Sequence, residues 1–295
     1  MMTMAGAPTA KARRLSSPAR LALGVDAAWT ATEPSGVALA EETPHGWRLV
    51  AVEASYPHFR ARAEDVALTD RPRGEPPDVP ALLAACKRLS GRTPDLVAVD
   101  MPLSHEQILG RRASDRAISS AFGARKAATH SPSALRPGAL ADRFRADFEA
   151  AGFALCTSDG LKTPGLMEVY PHAALLELSG DAVRLTYKAG KTTTYWPEAL
   201  LEERRARVRK VWRRIVAMLE AEIEGVEAAL PPPLGHARGR ELKAYEDKLD
   251  AVVCAHVAIA ALEGHARAYG DGVSAVWVPL PRRSCTGGAL GSVIQ

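Results

Sequence analysis

The stretch LALGVDAAW, Leu21–Trp29, decides how the rest of the chain is read. Its first five residues are apolar or glycine, as in a strand buried inside a sheet. Asp26 interrupts the run with apolar neighbours on both sides. A carboxylate is rarely buried without a partner, so its place calls for a chemical reason. Two further β-prone runs follow at once, GVALA (Gly36–Ala40) and WRLVAVEAS (Trp47–Ser55), joined by the turn-like EETPHG. Three short runs this close predict antiparallel neighbours.

Working outward, the Pro-rich RPRGEPPDVP leads into ALLAACKRL, a helix that Asp78 caps with Pro80 in its first turn. DLVAVDMP (Asp95–Pro102) reads as a buried strand. A helix between two strands implies a crossover, so this strand is expected parallel to the first. Residues 103–165 read as an insertion packed on the sheet, with the basic GRRASDRAISS, the loop THSPSALRPG and a helix over Ala139–Ala151. LMEVYP (Leu166–Pro171) predicts another strand and HAALLELSG a short helix ended by Gly180. Pro197–Leu230 reads as the clearest helix, opened by Pro197 and stopped by Pro231–Pro233. Its apolar stripe is Val208, Val211, Trp212, Ile215, Leu219, Ile223 and Val226. A second helix is expected from Arg240 to Glu263, and SAVWVP (Ser274–Pro279) as an edge strand. The pattern predicts an α/β fold, with a mixed sheet and helices on both faces, better than a uniform two-sided parallel sheet. One domain over 21–280 is expected between a basic tail (1–20) and a loose tail (281–295).

The chain has 295 residues, 47% of them apolar and 24% charged, which excludes a disordered, collagenous or coiled-coil protein. Lys plus Arg is 38 and Asp plus Glu 34, a formal charge of +4 that is too weak alone to mark a nucleic-acid binder. Cys86, Cys156, Cys254 and Cys285 form no CxxC pair. With no leader-like segment, they read as reduced thiols in a cytoplasmic protein. The longest apolar run, Ala251–Leu262, contains His256 and falls short of the ~18 residues of a membrane span.

Asp26, Asp100, Glu168, Asp247 and Asp250 carry the chemistry. Asp26 and Glu168 interrupt apolar strands, Asp100 ends one, and Asp247 and Asp250 lie three apart on one helix face. If they converge, a cation must neutralise them, and their hard oxygens suit Mg²⁺ or Mn²⁺. Ions so held can activate water and stabilise a leaving oxygen in phosphodiester cleavage. Each acid also has a plain structural reading. Asp100 before Met-Pro is a turn former or cap, and Glu246, Asp247 and Asp250 form a solvated helix face.

The ordered set GVDAAW, SGVALA, VAVDMPL, RRASDRAI, EVYPHAALLEL with a following YK, and EDKLDAVVCAHVA resembles domain-of-unknown-function family 429. The resemblance runs from about Leu21 to Pro279, and members of that family are predicted ribonuclease H-like nucleases. It implies a ribonuclease H-like mixed sheet of five or slightly more strands, the first central between the second and fourth. It also implies Asp26, Asp100 and Asp250 as catalytic acids. With Asp247, and Glu168 from a family motif, they would ligate Mg²⁺ or Mn²⁺. Asp247, Asp250 and Ala251 are also similar to a D-x-x-D-A pattern near the end of Holliday-junction resolvases.

A nucleic-acid partner needs cations. Arg111, Arg112 and Arg116 follow the fourth strand and could clamp a phosphate, or one could pair with Asp115. Lys188 and Lys191, in YKAGK, could act likewise. The segment Glu202–Arg214 holds seven cations; Arg205, Arg209 and Arg213 could track a backbone, or form a solvated face beside Glu198, Glu202 and Glu203. His172 could move a proton or simply pack. No zinc spacing, phosphate loop or nucleophile elbow is present. The leading expectation is a metal-dependent nuclease on DNA or RNA, with no membrane partner. Two alternatives remain: a phosphotransferase of the related sugar-kinase and actin superfold, though Ala27-Ala28-Trp29 stands where that phosphate loop is glycine-rich, and a non-catalytic nucleic-acid-binding adaptor.

Overall fold

The apolar runs around Asp26 become strands β1 (Leu21–Asp26), β2 (Gly36–Thr43) and β3 (Gly46–Glu53) in a computed structural model that describes residues 19–68 and 71–281. Residues 1–18 and 282–295, which include most of the two expected tails and Cys285, lie outside the described residues. Helix α1 (Tyr56–Ala63) follows, with the Ser55 hydroxyl accepting from the His58 amide. Next come α2 (Val79–Ser90), where Asp78 accepts from Ala81 as expected, and β4 (Leu96–Val99). The stretch read as an insertion supplies α3 (Ala113–Phe122), α4 (Ala139–Ala150) and the short β5 (Ala154–Leu155). It is woven into the fold: Phe144 and Phe148 of α4 are fully buried in the core under β1 and β4. β6 (Gly165–Val169) and α5 (Pro171–Ser179), ended at Gly180, match expectation.

The segment read as one helix over Pro197–Leu230 is three elements. After a short α6 (Thr192–Tyr195), α7 runs only over Leu201–Glu220. The chain then forms β7 (Ile223–Glu224) and α8 (Val226–Ala229), with Gly225 at φ +90° between them. Ile223 is buried as the stripe requires, but it gets there by pairing with Trp47 of β3. The Glu220 carboxylate accepts from the Gly225 and Glu227 amides (3.1 and 2.7 Å), which satisfies the N-terminus of α8. Helix α9 (Gly239–Leu262) is continuous, as predicted. SAVWVP forms β9 (Ala275–Pro279) but not at an edge, because β8 (Ala266–Gly270) pairs antiparallel outside it. β8 is half-exposed and carries no apolar run to betray it.

Among the described residues the sheet has nine strands in the order β7-β3-β2-β1-β4-β6-β9-β8, with β5 beside the start of β6. β1 is central, antiparallel to β2 and parallel to β4, and β4 is parallel to β6. Alternation sends Ala22 and Gly24 to the face covered by α9, and Leu21, Leu23 and Val25 to the face covered by α1, α2 and α4. Helix α9 lies directly on the strands. A Cβ at Gly24 would overlap the Ala251 carbonyl oxygen and the Ala255 amide, and one at Gly36 the Asp247 carbonyl oxygen. No helix among the described residues is long and apolar enough to cross a membrane.

Candidate functional site

Asp26 is the last residue of β1 and Asp100 the first after β4. The Asp100 amide donates to the Val25 carbonyl (2.9 Å), so the ladder continues to this level and sets the two acids side by side. By the alternation of Ala22, Gly24 and of Leu96, Ala98, both side chains project to the α9 face. There α9 presents Glu246, Asp247 and Asp250, at 3%, 1% and 0% exposure, which rules out the solvated-face reading of these acids.

The neighbours of each acid differ. Asp250 is held from both sides: the Tyr187 hydroxyl donates to Oδ1 (2.8 Å) and the Lys188 ammonium pairs with Oδ2. Glu246 accepts from the Ala189 amide (2.5 Å) and lies 3.5 Å from Lys188. Asp247 pairs through Oδ1 with Lys243, one helical turn earlier, while its buried Oδ2 has no hydrogen-bond partner among the described residues. Asp26 and Asp100 have no ion-pair partner among the described residues. These two differ in this from Asp247 and Asp250, each of which has a lysine partner. Five carboxyl groups thus meet two ammonium groups, an excess of negative charge in a poorly solvated place.

Proton affinities respond to this. Burial, then the Asp250 and Asp247 charges, push the Asp26 carboxyl well above its ordinary range, against the pull of Lys243 and Lys188. Asp100 is pushed up to about 7, by burial first and by Asp250 and Glu168, with Lys188 opposing. Burial brings Asp247 to about 6 in spite of Lys243. For Lys188, burial opposes the charge, but Asp250, Tyr187 and Glu246 outweigh it and hold the ammonium well above its usual range.

Glu168 points to the other side of its strand from this cluster, although its charge reaches Asp100. Its neighbour in register, Val99, faces the α2 and α4 side, and Glu168 points the same way. There Arg112 grips it with two bonds of 2.5 and 2.7 Å, and the Leu103 amide donates at 2.7 Å. Arg112 also bonds Asp115 and the Leu103 carbonyl oxygen, and all three charged groups are buried. Of the alternatives for the arginines, the salt bridge with Asp115 is thus the one realised, and Arg112 offers nothing to a phosphate. Arg111 is exposed and bonds Ser119 and Ser131, while exposed Arg116 donates to the Arg111 carbonyl oxygen. On α7, Arg205 pairs with Glu202 and Arg209 donates to the Leu234 and Gly235 carbonyl oxygens; Arg213 is exposed. None of these three lines the cavities beside the acids.

Two cavities open onto the cluster. One, of about 650 Å³, is lined by Asp26, Asp100, Asp247 and Lys243. The other, of about 430 Å³, is lined by Asp100, Lys188, Lys191 and His172. They share Trp29, Asp100, His130 and Lys243, so they are two lobes of one cleft. His172 packs edge-on between Tyr170 and Tyr187, and burial followed by Lys188 holds it neutral, well below the usual imidazole range. The sequence reading missed Lys243, though its spacing of four from Asp247 is the signal for such a pair. It also missed the rim of Arg71, Arg136 and Arg240 around the larger lobe, which no local pattern announces.

Carboxylate oxygens are the donor type that a hard divalent cation takes. The carboxyl oxygens of Asp26 and Asp100 and the orphaned Asp247 Oδ2 border one lobe. As they stand, no three acidic, His or Cys side chains among the described residues are gathered closely enough to hold one ion. The Lys243 ammonium supplies the positive charge at Asp247 instead. Cys86, Cys156 and Cys254 are buried free thiols; Cys254 lies against the Asp100 backbone, and burial with the charges of Asp100, Asp26 and Asp250 holds its thiol well above the usual range.

Comparison with curated proteins gives no match, and neither does comparison with solved structures. A family match does cover the whole region that builds the cleft, from the glycine of β1 to the turn before β9: residues 24–274 place the chain in the family described as "Protein of unknown function (DUF429)", to which it belongs.

Proposed function

We propose that the protein is a divalent-metal-dependent phosphodiesterase of ribonuclease H-like fold that acts on nucleic acid. One observation carries the reading: two neighbouring strands end in Asp26 and Asp100, both half-buried and free of ion pairs among the described residues, at the floor of a cleft beside the orphaned Asp247 Oδ2. The fold assignment is supported by the central β1, flanked by β2 and β4, as the family resemblance implies.

Asp26, Asp100 and Asp247 would hold Mg²⁺ or Mn²⁺. A bound ion of this kind supplies charge neutralisation and a lowered barrier to water attack in phosphodiester hydrolysis. The protein's own groups do the rest. Asp250, locked by Tyr187 and Lys188, keeps α9 in register with the strand ends. Lys243 stands between Asp247 and the open cleft, and Lys191 lines the smaller lobe, so both can meet phosphate oxygens. Burial and the neighbouring carboxylates raise the proton affinity of Asp26 and Asp100, which limits the repulsion between the acids in the metal-free protein.

The test is a titration of Mg²⁺ and of Mn²⁺ against single- and double-stranded DNA and RNA, with EDTA as control. Cleavage that follows the metal supports the reading. Stabilisation by ATP in place of cleavage would turn it towards phosphoryl transfer.

A further inference from the structure

We propose that the strand taken by this cleft is single-stranded nucleic acid, with an unpaired base stacked on Trp29. The proposal rests on the phosphodiesterase reading above and names its substrate. Trp29 lies three residues beyond Asp26 and lines both lobes of the cleft, so any chain that crosses the acids passes it. The residue is partly exposed, and its buried part packs against the core under β1, which gives the ring a firm seat. Its loop is also fixed, because the Ala28 amide donates to the buried Ser35 hydroxyl (3.0 Å). The indole N–H has no hydrogen-bond partner among the described residues, as is true of the half-exposed Trp196, whereas the buried Trp47, Trp212 and Trp277 all donate to protein oxygens. At the junction of the two cavities it is open to a ligand.

Shape points the same way. The acids lie at the floor of lobes of about 650 and 430 Å³, the size that encloses small-molecule-sized groups such as single nucleotides. A stiff duplex cannot fold its bases into such concavities without unpairing them. Base-on-aromatic stacking asks for no particular sequence, since every base has a π-face. Charge completes the picture: Arg71, Arg136 and Arg240 stand exposed around the larger lobe, without ion pairs among the described residues, where backbone phosphates would leave it.

The experiment measures binding in EDTA, where no cleavage occurs, by anisotropy of short labelled oligonucleotides: single-stranded DNA, single-stranded RNA and the matching duplexes. The parent protein is compared with Trp29→Phe and Trp29→Leu, both of which keep an apolar group against the core, and thermal melting verifies that each is folded. The expected result is preference for single strands over duplex, near-parental binding by Trp29→Phe, and a loss of about 5- to 150-fold for Trp29→Leu, the worth of one stacked base. Duplex bound as tightly as single strand, or parental binding by folded Trp29→Leu, would overturn the proposal. Either outcome together with metal-dependent cleavage of duplex would leave the phosphodiesterase reading standing. Failure to bind or cleave any nucleic acid would remove both.

Discussion

At the residue scale the site is a problem of charge. Asp100 and Asp247 have folded-state affinities near about 7 and about 6, above the 3.8 of a solvated aspartate, and Asp26 is raised as well. The folded protein therefore binds these protons more tightly than the unfolded chain does. Their contribution to stability is complete below the unfolded value and is lost as pH rises through the folded values. In EDTA, the melting temperature of the parent relative to Asp100→Asn should accordingly fall between about pH 4 and about pH 7 and level off above; a pH-independent difference would contradict the assigned burial. Arg112 is the opposite case, a cation fully enclosed by its acids. Arg112→Ala leaves Glu168 and Asp115 buried without their counter-ion and should cost about 3–5 kcal/mol in denaturant unfolding. A loss below about 1 kcal/mol, the level of a surface pair, would show the network is solvated. Asp26 was legible because an acid within an apolar strand has no easy local explanation, and Asp100 because it closes a second apolar strand expected parallel to the first. The partnership of Arg112 with Glu168 was not, since 56 positions separate them and only the fold joins them.

At the element scale, α9 and β1 form the joint on which the site depends. Gly24 and Gly36 let the helix backbone lie against the strands, which brings Asp247 and Asp250 over Asp26. Gly24→Ala places a methyl group into the Ala251 carbonyl. It should destabilise the protein by about 1–3 kcal/mol, as overpacking does, and weaken metal affinity by displacing one set of acids from the other. Calorimetric titration of Mn²⁺ on the folded variant checks the second effect; parental affinity together with the lost stability would separate the joint from the site. Helix α9 was readable from its long apolar run and β1 from its short continuous one. The interruption at Ala221–Gly225 was missed because Ile223 and Val226 satisfy a helical stripe, and only the glycine between them at φ +90° permits the strand that replaces it. β8 was missed for the converse reason. As a half-exposed edge it needs no apolar run, and its register comes from pairing with β9.

At the scale of the whole molecule, the sheet order and α9 bring Asp26, Asp100 and Asp247, far apart in the chain, to the lining of one cleft. What lay beyond the sequence was the surface. The basic run of α7 stands away from the acids, while the cations that ring the cleft come from three separated segments at Arg71, Arg136 and Arg240. The rim and the floor together support the proposal that the protein cleaves phosphodiesters with metal held by strand-end carboxylates. The most direct measurement is Mn²⁺- and Mg²⁺-dependent cleavage of single-stranded DNA and RNA by the parent, Asp26→Asn and Asp100→Asn, prepared alongside one another. The account predicts cleavage by the parent that EDTA removes. It also predicts loss of that cleavage in both variants, whose melting temperatures in EDTA equal or exceed the parent's because a buried like-charge repulsion is relieved. Parental cleavage by folded Asp26→Asn, or no cleavage by the parent with either metal, would contradict it.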